Sequence, residues 1–203
     1  SLSRLASRFE FDMTRTQAIQ IDLNEGIDRQ TLTQLRERFL HVNRARLLRA
    51  MEGLTPRQQT VLSLLPLFFH VNHPLLPGYV SGSTPAGVAG YEPDASALTE
   101  AQRLTRSFSY KTRTPGAHSP IHGLFLMGSL GTLAQTDQSD MDVWICHAPN
   151  LSEPALEELR KKCQVLETWA AGLGADAHFF LIDAQRFALG ERDARLSTDD
   201  CGT

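Results

Sequence analysis

With 203 residues, 41% of them hydrophobic, the chain can bury a sizeable core without disulfide or metal staples, and its length allows one domain with extra helices or two small ones. Its 20 basic and 23 acidic side chains leave a net charge of −3, which speaks against nucleic acid as a partner, because such footprints are usually strongly basic. No apolar run reaches the roughly 18 residues of a membrane helix and no secretory leader is visible, while Cys146, Cys163 and Cys201 are odd in number and lack metal-ligand spacing, as in a cytoplasmic protein with reduced thiols. Residues 1–12 show no structural pattern and precede a natural start at Met13, so they read as a remnant of cloning.

The first predicted element is a helix over 28–51, with Leu32, Leu35, Phe39, Val42 and Leu48 close to helical spacing. Asp28 can cap it and Gly53 can end it. Thr55-Pro56-Arg57-Gln58 then supplies a capping residue, a proline at the first helical position and a glutamine three after the cap. This starts a second helix through Leu62 and Leu65, which Pro66 is expected to kink or end. The stretch 70–91 is rich in Pro and Gly and reads as a long loop. A helix follows over 95–108, aligning Leu98, Ala101, Leu104 and Phe108, and 111–120 is polar and irregular. Ser152 caps a helix to about residue 171, stopped by Gly172 and Gly174, and 176–182 is a strong strand. The chain breaks off at Asp199-Asp200-Cys201-Gly202-Thr203 and is expected to be a fragment of a longer protein.

Two segments carry chemistry. Leu124-Phe125-Leu126-Met127 is an apolar strand running into Gly128-Ser129, and after ten intervening residues comes Asp140-Met141-Asp142-Val143-Trp144-Ile145. In a strand, residues two apart share a face. Asp140, Asp142 and Trp144 therefore project together while Met141, Val143 and Ile145 are buried. Two parallel carboxylates repel each other unless a cation sits between them, and hard divalent ions such as magnesium take oxygen ligands. The connection is too short for a parallel crossover, so the strands pair antiparallel. That return places Gly128-Ser129 beside Asp140, where turn N–H groups and a hydroxyl can cradle phosphate. The combination points to metal-assisted phosphoryl or nucleotidyl chemistry.

Gly-Ser, a spacer of ten and Asp-x-Asp between apolar residues resemble the signature of the nucleotidyltransferase fold, the polymerase-beta-like superfamily. The runs His73-Pro74-Leu75-Leu76-Pro77-Gly78-Tyr79, Ser139-Asp140-Met141-Asp142-Val143-Trp144-Ile145-Cys146-His147, Lys162-Cys163, Leu166-Glu167-Thr168-Trp169-Ala170-Ala171 and Phe179-Phe180-Leu181-Ile182-Asp183 narrow this. They resemble the N-terminal catalytic region of class I adenylate cyclases, the large soluble cyclases of enteric bacteria, from about residue 35 to the last. The resemblance implies an α/β fold of nucleotidyltransferase type: a small mixed sheet with packed helices and an N-terminal helical extension. It divides the chain into a helical extension and Pro/Gly-rich loop over 13–92 and a catalytic core over 93–203, with a regulatory C-terminal region outside the fragment.

The implied reaction is conversion of ATP to 3′,5′-cyclic AMP and pyrophosphate. Two magnesium ions (manganese as the alternative) would be held by Asp140, Asp142 and a third carboxylate on a later strand. Asp176 is preferred for that third ligand because it lies between alanines at the start of the strand; Asp183, at its end, is the alternative. They are an odd number of residues apart, so in a regular strand only one faces the metals. Gly128 and Ser129 would hold phosphate, Trp144 would stack on the base or ribose, and Lys162 would contact the triphosphate, although a helix lysine is more often simply solvated. His70 and His73 read as loop or packing histidines. The competing functions are transfer of a nucleoside monophosphate to a protein, RNA or small-molecule hydroxyl, and a silent nucleotide-binding module.

Overall fold

The computed structural model describes residues 45–113, 118–130 and 139–185, all within the compact unit formed by residues 43–203. Most of the first expected helix lies outside the described residues, as do 114–117 and the tail beyond 185. Residues 45–53 are helical (α1). Thr55 then caps α2, Pro56–His70, through a reciprocal box: its hydroxyl accepts from the Gln58 N–H, and the Gln58 side chain accepts from the Thr55 N–H. Pro66 lies inside this helix and does not end it, which removes one of its two expected effects. An interior proline costs about 3 kcal/mol or more, but the turn beyond it buries Leu67, Phe68 and Phe69 completely. At roughly 1.5–3 kcal/mol per buried side chain, that burial outweighs the lost hydrogen bond.

Helix α3, Ala95–Leu104, is capped by Asp94 and stops one turn short of the expected end. A continuous helix would align Leu104 with Phe108. Instead Thr105 is extended, Leu104 is exposed, and Phe108 enters the core from the turn that follows.

The sheet has three strands in the order β1-β2-β3. Strand β1, Ile121–Met127, pairs antiparallel with β2, Met141–His147, and the register places Met127 opposite Asp142. Strand β3, Ala177–Asp183, is parallel to β2, with Met141 opposite Ala177 and His147 opposite Asp183. The parallel step is made by α4, Glu153–Gly172, which Ser152 caps. The architecture is thus mixed α/β, with a small mixed sheet and four helices among the described residues.

One face of the sheet is the core. Met141, Val143 and Ile145 are buried under α2 and α4, where Phe69 packs on Phe179 with ring centroids 5.8 Å apart and Phe68 meets Trp169 edge-on at 5.1 Å. Helix α2 therefore shares its core with the sheet. The other face carries Asp142, Trp144 and Cys146 at intermediate exposure.

The Pro/Gly-rich loop is pinned to α4. Gly78 adopts φ +83°, and a Cβ there would lie 2.8 Å from Leu166, so only glycine fits. Lys162, 1% exposed, donates to the Gly78 carbonyl at 3.2 Å, with its ammonium 5.8 Å from the centre of the Phe69 ring. Burial lowers its pKa from 10.5 to about 8. Between those values the unfolded chain binds the proton and the folded one has lost it, so stability should rise with pH through this window and be flat below it. We predict that denaturant titrations show this rise between pH 8 and 9, above which the Cys163 thiol, pushed up by burial, contributes the opposite slope. Lys162→Met should abolish it and be more stable at pH 7 by up to about 3 kcal/mol. A methionine variant with an unchanged pH profile would refute the assignment.

Candidate active site

The site forms where β1 ends and β2 and β3 begin. The backbone reverses after Met127 through Gly128 at φ +71°, a conformation that L side chains rarely adopt. A second constraint acts at the same residue: a Cβ on Gly128 would sit 2.5 Å from Oδ2 of Asp142. The glycine thus lets the turn close directly over a carboxylate. Ser129 Oγ donates to Ser139 Oγ at 3.1 Å, which ties the turn to the residue before Asp140. Gly128 and Ser129 therefore lie beside the acidic pair, as the antiparallel return requires.

Asp140 immediately precedes β2, and its neighbour Met141 donates its N–H to the Asp176 carbonyl at 2.7 Å. Parallel pairing brings Asp176 next to Asp140. His178, opposite Asp142 in register, places Nε2 3.3 Å from Oδ1 of Asp176. Asp140, Asp176 and His178 are exposed and offer ligand atoms all within 4.8 Å of one another. The two carboxylates of this set suit a hard divalent cation such as magnesium or manganese, whereas the imidazole is a softer donor, more usual with zinc, copper, iron or nickel. Asp142 is opposite His178 in register and so on the same sheet face, but its Oδ2 lies against the Gly128 turn and it is not one of these three clustered donors.

Asp183 is at the other end of β3, opposite His147, with Oδ1 accepting from the Gln185 N–H at 2.8 Å. The structure does not bring it to Asp140. Its charge, second to burial, holds the Cys146 thiol above its ordinary pKa, so Cys146 stays a thiol.

Trp144 stands between Phe125 of β1 and Phe180 of β3. Beside it is an apolar hollow lined by Phe125, Trp144, Cys146 and Ile182. Lys162 corrects an expectation: it is buried against Gly78 and Phe69, so it anchors a loop and cannot reach a triphosphate. His70 and His73 are packing residues. The His70 ring accepts from the Val88 N–H and bonds the Tyr110 hydroxyl; His73 stacks edge-on against Phe108.

Two neighbours of the site were not expected as site residues. Strand alternation places His178 on the face of Asp176, two residues on, but gives it no role. Ser139 carries no such signal, because only the turn geometry gives its hydroxyl a role.

A family model described as the adenylate cyclase NT domain matches residues 31–203. The chain belongs to the adenylate cyclase N-terminal domain family. Among its curated relatives, adenylate cyclase of Salmonella typhimurium (strain LT2) is 39% identical over 173 residues and that of Escherichia coli (strain K12) 40% over 172; adenylate cyclase of Yersinia pestis is 36% identical over 174. Each alignment covers 83% of this chain and 20% of the relative, so the chain spans about a fifth of their length. No solved structure matches. Among the described residues, no helix is long and apolar enough to cross a membrane.

Proposed function

We propose that this chain is the catalytic domain of an adenylate cyclase, converting ATP to 3′,5′-cyclic AMP and pyrophosphate on a nucleotidyltransferase-type fold spanning 93–203, with 13–92 as a helical extension and Pro/Gly-rich loop. The observation that carries the reading is the seating of the Gly128-Ser129 turn on Asp142, beside Asp140 and Asp176, in a member of this family.

Gly128 N–H and the Ser129 hydroxyl hold phosphate oxygens at the mouth of β1. The flat face of Trp144, next to the apolar hollow, receives the adenine, since aromatic stacking tolerates a desolvated base. These two anchors fold the nucleotide so that its ribose 3′-oxygen faces the α-phosphorus. The bond from the 3′-oxygen to the α-phosphorus then forms as the bond from that phosphorus to the α,β-bridging oxygen breaks, pyrophosphate leaves with its electron pair, and the 3′-hydroxyl proton passes to water. Asp140, Asp142 and Asp176 would hold two magnesium ions, or manganese, which when bound make the 3′-hydroxyl acidic and neutralise charge on the pyrophosphate. Because attack is intramolecular, the protein contributes chiefly orientation and charge stabilisation.

Incubating the full-length protein with ATP and magnesium alone tests this, because only a cyclase forms product without an acceptor. Cyclic AMP is expected. AMP transfer only on addition of an acceptor, or binding with no turnover, would replace the reading with a nucleotidyltransferase or a silent module. Magnesium with a non-hydrolysable ATP analogue should also raise Tm, since a ligand bound by the native state alone stabilises it. Asp140→Asn should lose most of that shift; an equal shift in the variant would place nucleotide elsewhere.

A further inference from the structure

Arg46 is eighty residues from β1 in sequence and reaches it at one point, where Nη1 donates to the carbonyl oxygen of Leu126 at 3.0 Å. Strand β1 is at the edge of the sheet, so this carbonyl is accessible to a side chain from α1. Ala50, one turn beyond Arg46, is completely buried. Residues four apart share a helix face, so the face that carries Arg46 is the one locked into the core. The guanidinium is therefore held from two sides, by its helix and by its hydrogen bond.

Leu126 is two residues before Gly128. A strand advances about 3.3 Å per residue, which puts the anchored guanidinium within about 7 Å of the turn along the strand direction. Arginine carries five N–H donors in a planar fork matched to phosphate oxygens, and the bond to Leu126 uses one. Asp140, Asp142 and Asp176 attract cations but repel a triphosphate, so a fixed positive charge beside the turn offsets that repulsion. We propose that Arg46 is a phosphate-binding residue of this site, gripping the oxygens of the pyrophosphate portion that the Gly128-Ser129 turn receives. The inference rests on the reading of the site as an ATP site. The competing role is purely structural, closing an edge carbonyl of β1.

The two roles separate in a binding measurement on the full-length protein, using magnesium pyrophosphate and AMP as probes. Arg46→Gln keeps an N–H donor and loses the charge. It should weaken magnesium pyrophosphate by about tenfold, as loss of one charge-assisted hydrogen bond predicts, and raise KM for ATP similarly, with AMP binding unmoved. Arg46→Lys, which keeps the charge without the fork, should fall between wild type and Arg46→Gln; it also serves if Arg46→Gln folds poorly. Equal losses for both probes, unchanged pyrophosphate binding with a lowered Tm, or a lysine variant as weak as the glutamine one would each overturn the proposal. Wild-type protein that makes cyclic AMP while Arg46→Gln binds pyrophosphate normally sinks this inference alone. Wild-type protein that makes none sinks the ATP reading and this inference with it.

Discussion

Asp140→Asn and Asp142→Asn are each expected to reduce cyclic AMP formation by at least about a hundredfold, near 3 kcal/mol at about 1.36 kcal/mol per tenfold. Both substitutions keep side-chain shape and remove charge. That matters most at Asp142, whose Oδ2 occupies the space beside Gly128 that a Cβ would need; an amide fits there without moving the turn. Folding should survive, because removing one of several adjacent carboxylates relieves repulsion in metal-free protein. The measurement is turnover at saturating ATP and magnesium, with Tm as the control for folding. Near-normal activity in either variant would show that the acidic pair does not hold the metals.

The sheet was legible because its signals are local. Alternation in Met141–His147 fixed which residues are buried, and the short connection from Gly128 fixed an antiparallel partner; both follow from the two-residue period of a strand. The Thr55 capping box and the Ser152 cap were equally local. Local signals were insufficient where packing decided. Pro66 continues α2 because three fully buried side chains lie beyond it, and Phe108 leaves α3 because the core is reached from the following turn. Lys162 misled for the same reason: periodicity places a lysine on a helix but cannot show that a loop from residue 78 covers it. Arg46 left no sequence signal, since its contact depends on where α1 crosses the edge of β1. The acidic cluster lay between these extremes: Asp140 and Asp142 stood out by spacing and Asp176 was preferred to Asp183 on local pattern, while only the register of β3 shows which of the two lies near Asp140.

That third position gives the second large expected effect. Asp176→Asn should be inactive and Asp183→Asn active in cyclic AMP formation at saturating ATP and magnesium. Parallel pairing of β2 and β3 puts Asp176 beside Asp140, with ligand atoms within 4.8 Å, while Asp183 is opposite His147 at the far end of the strand. A strand of this length spans about 20 Å, much farther than a carboxylate can reach. The backbone carbonyl of Asp176, which receives the Met141 N–H, is untouched by the substitution, so strand pairing should persist. Loss of activity would then report the carboxylate itself: turnover falls at least about a hundredfold, with ATP binding, held mainly by the turn and the other carboxylates, changing by only a few-fold. Asp183 accepts from the Gln185 N–H, and its asparagine variant retains an oxygen for that bond, so stability should change by no more than about 1 kcal/mol. An inactive Asp183→Asn beside an active Asp176→Asn would require a different path for β3, and two active variants would leave Asp140 and Asp142 to act without a third carboxylate.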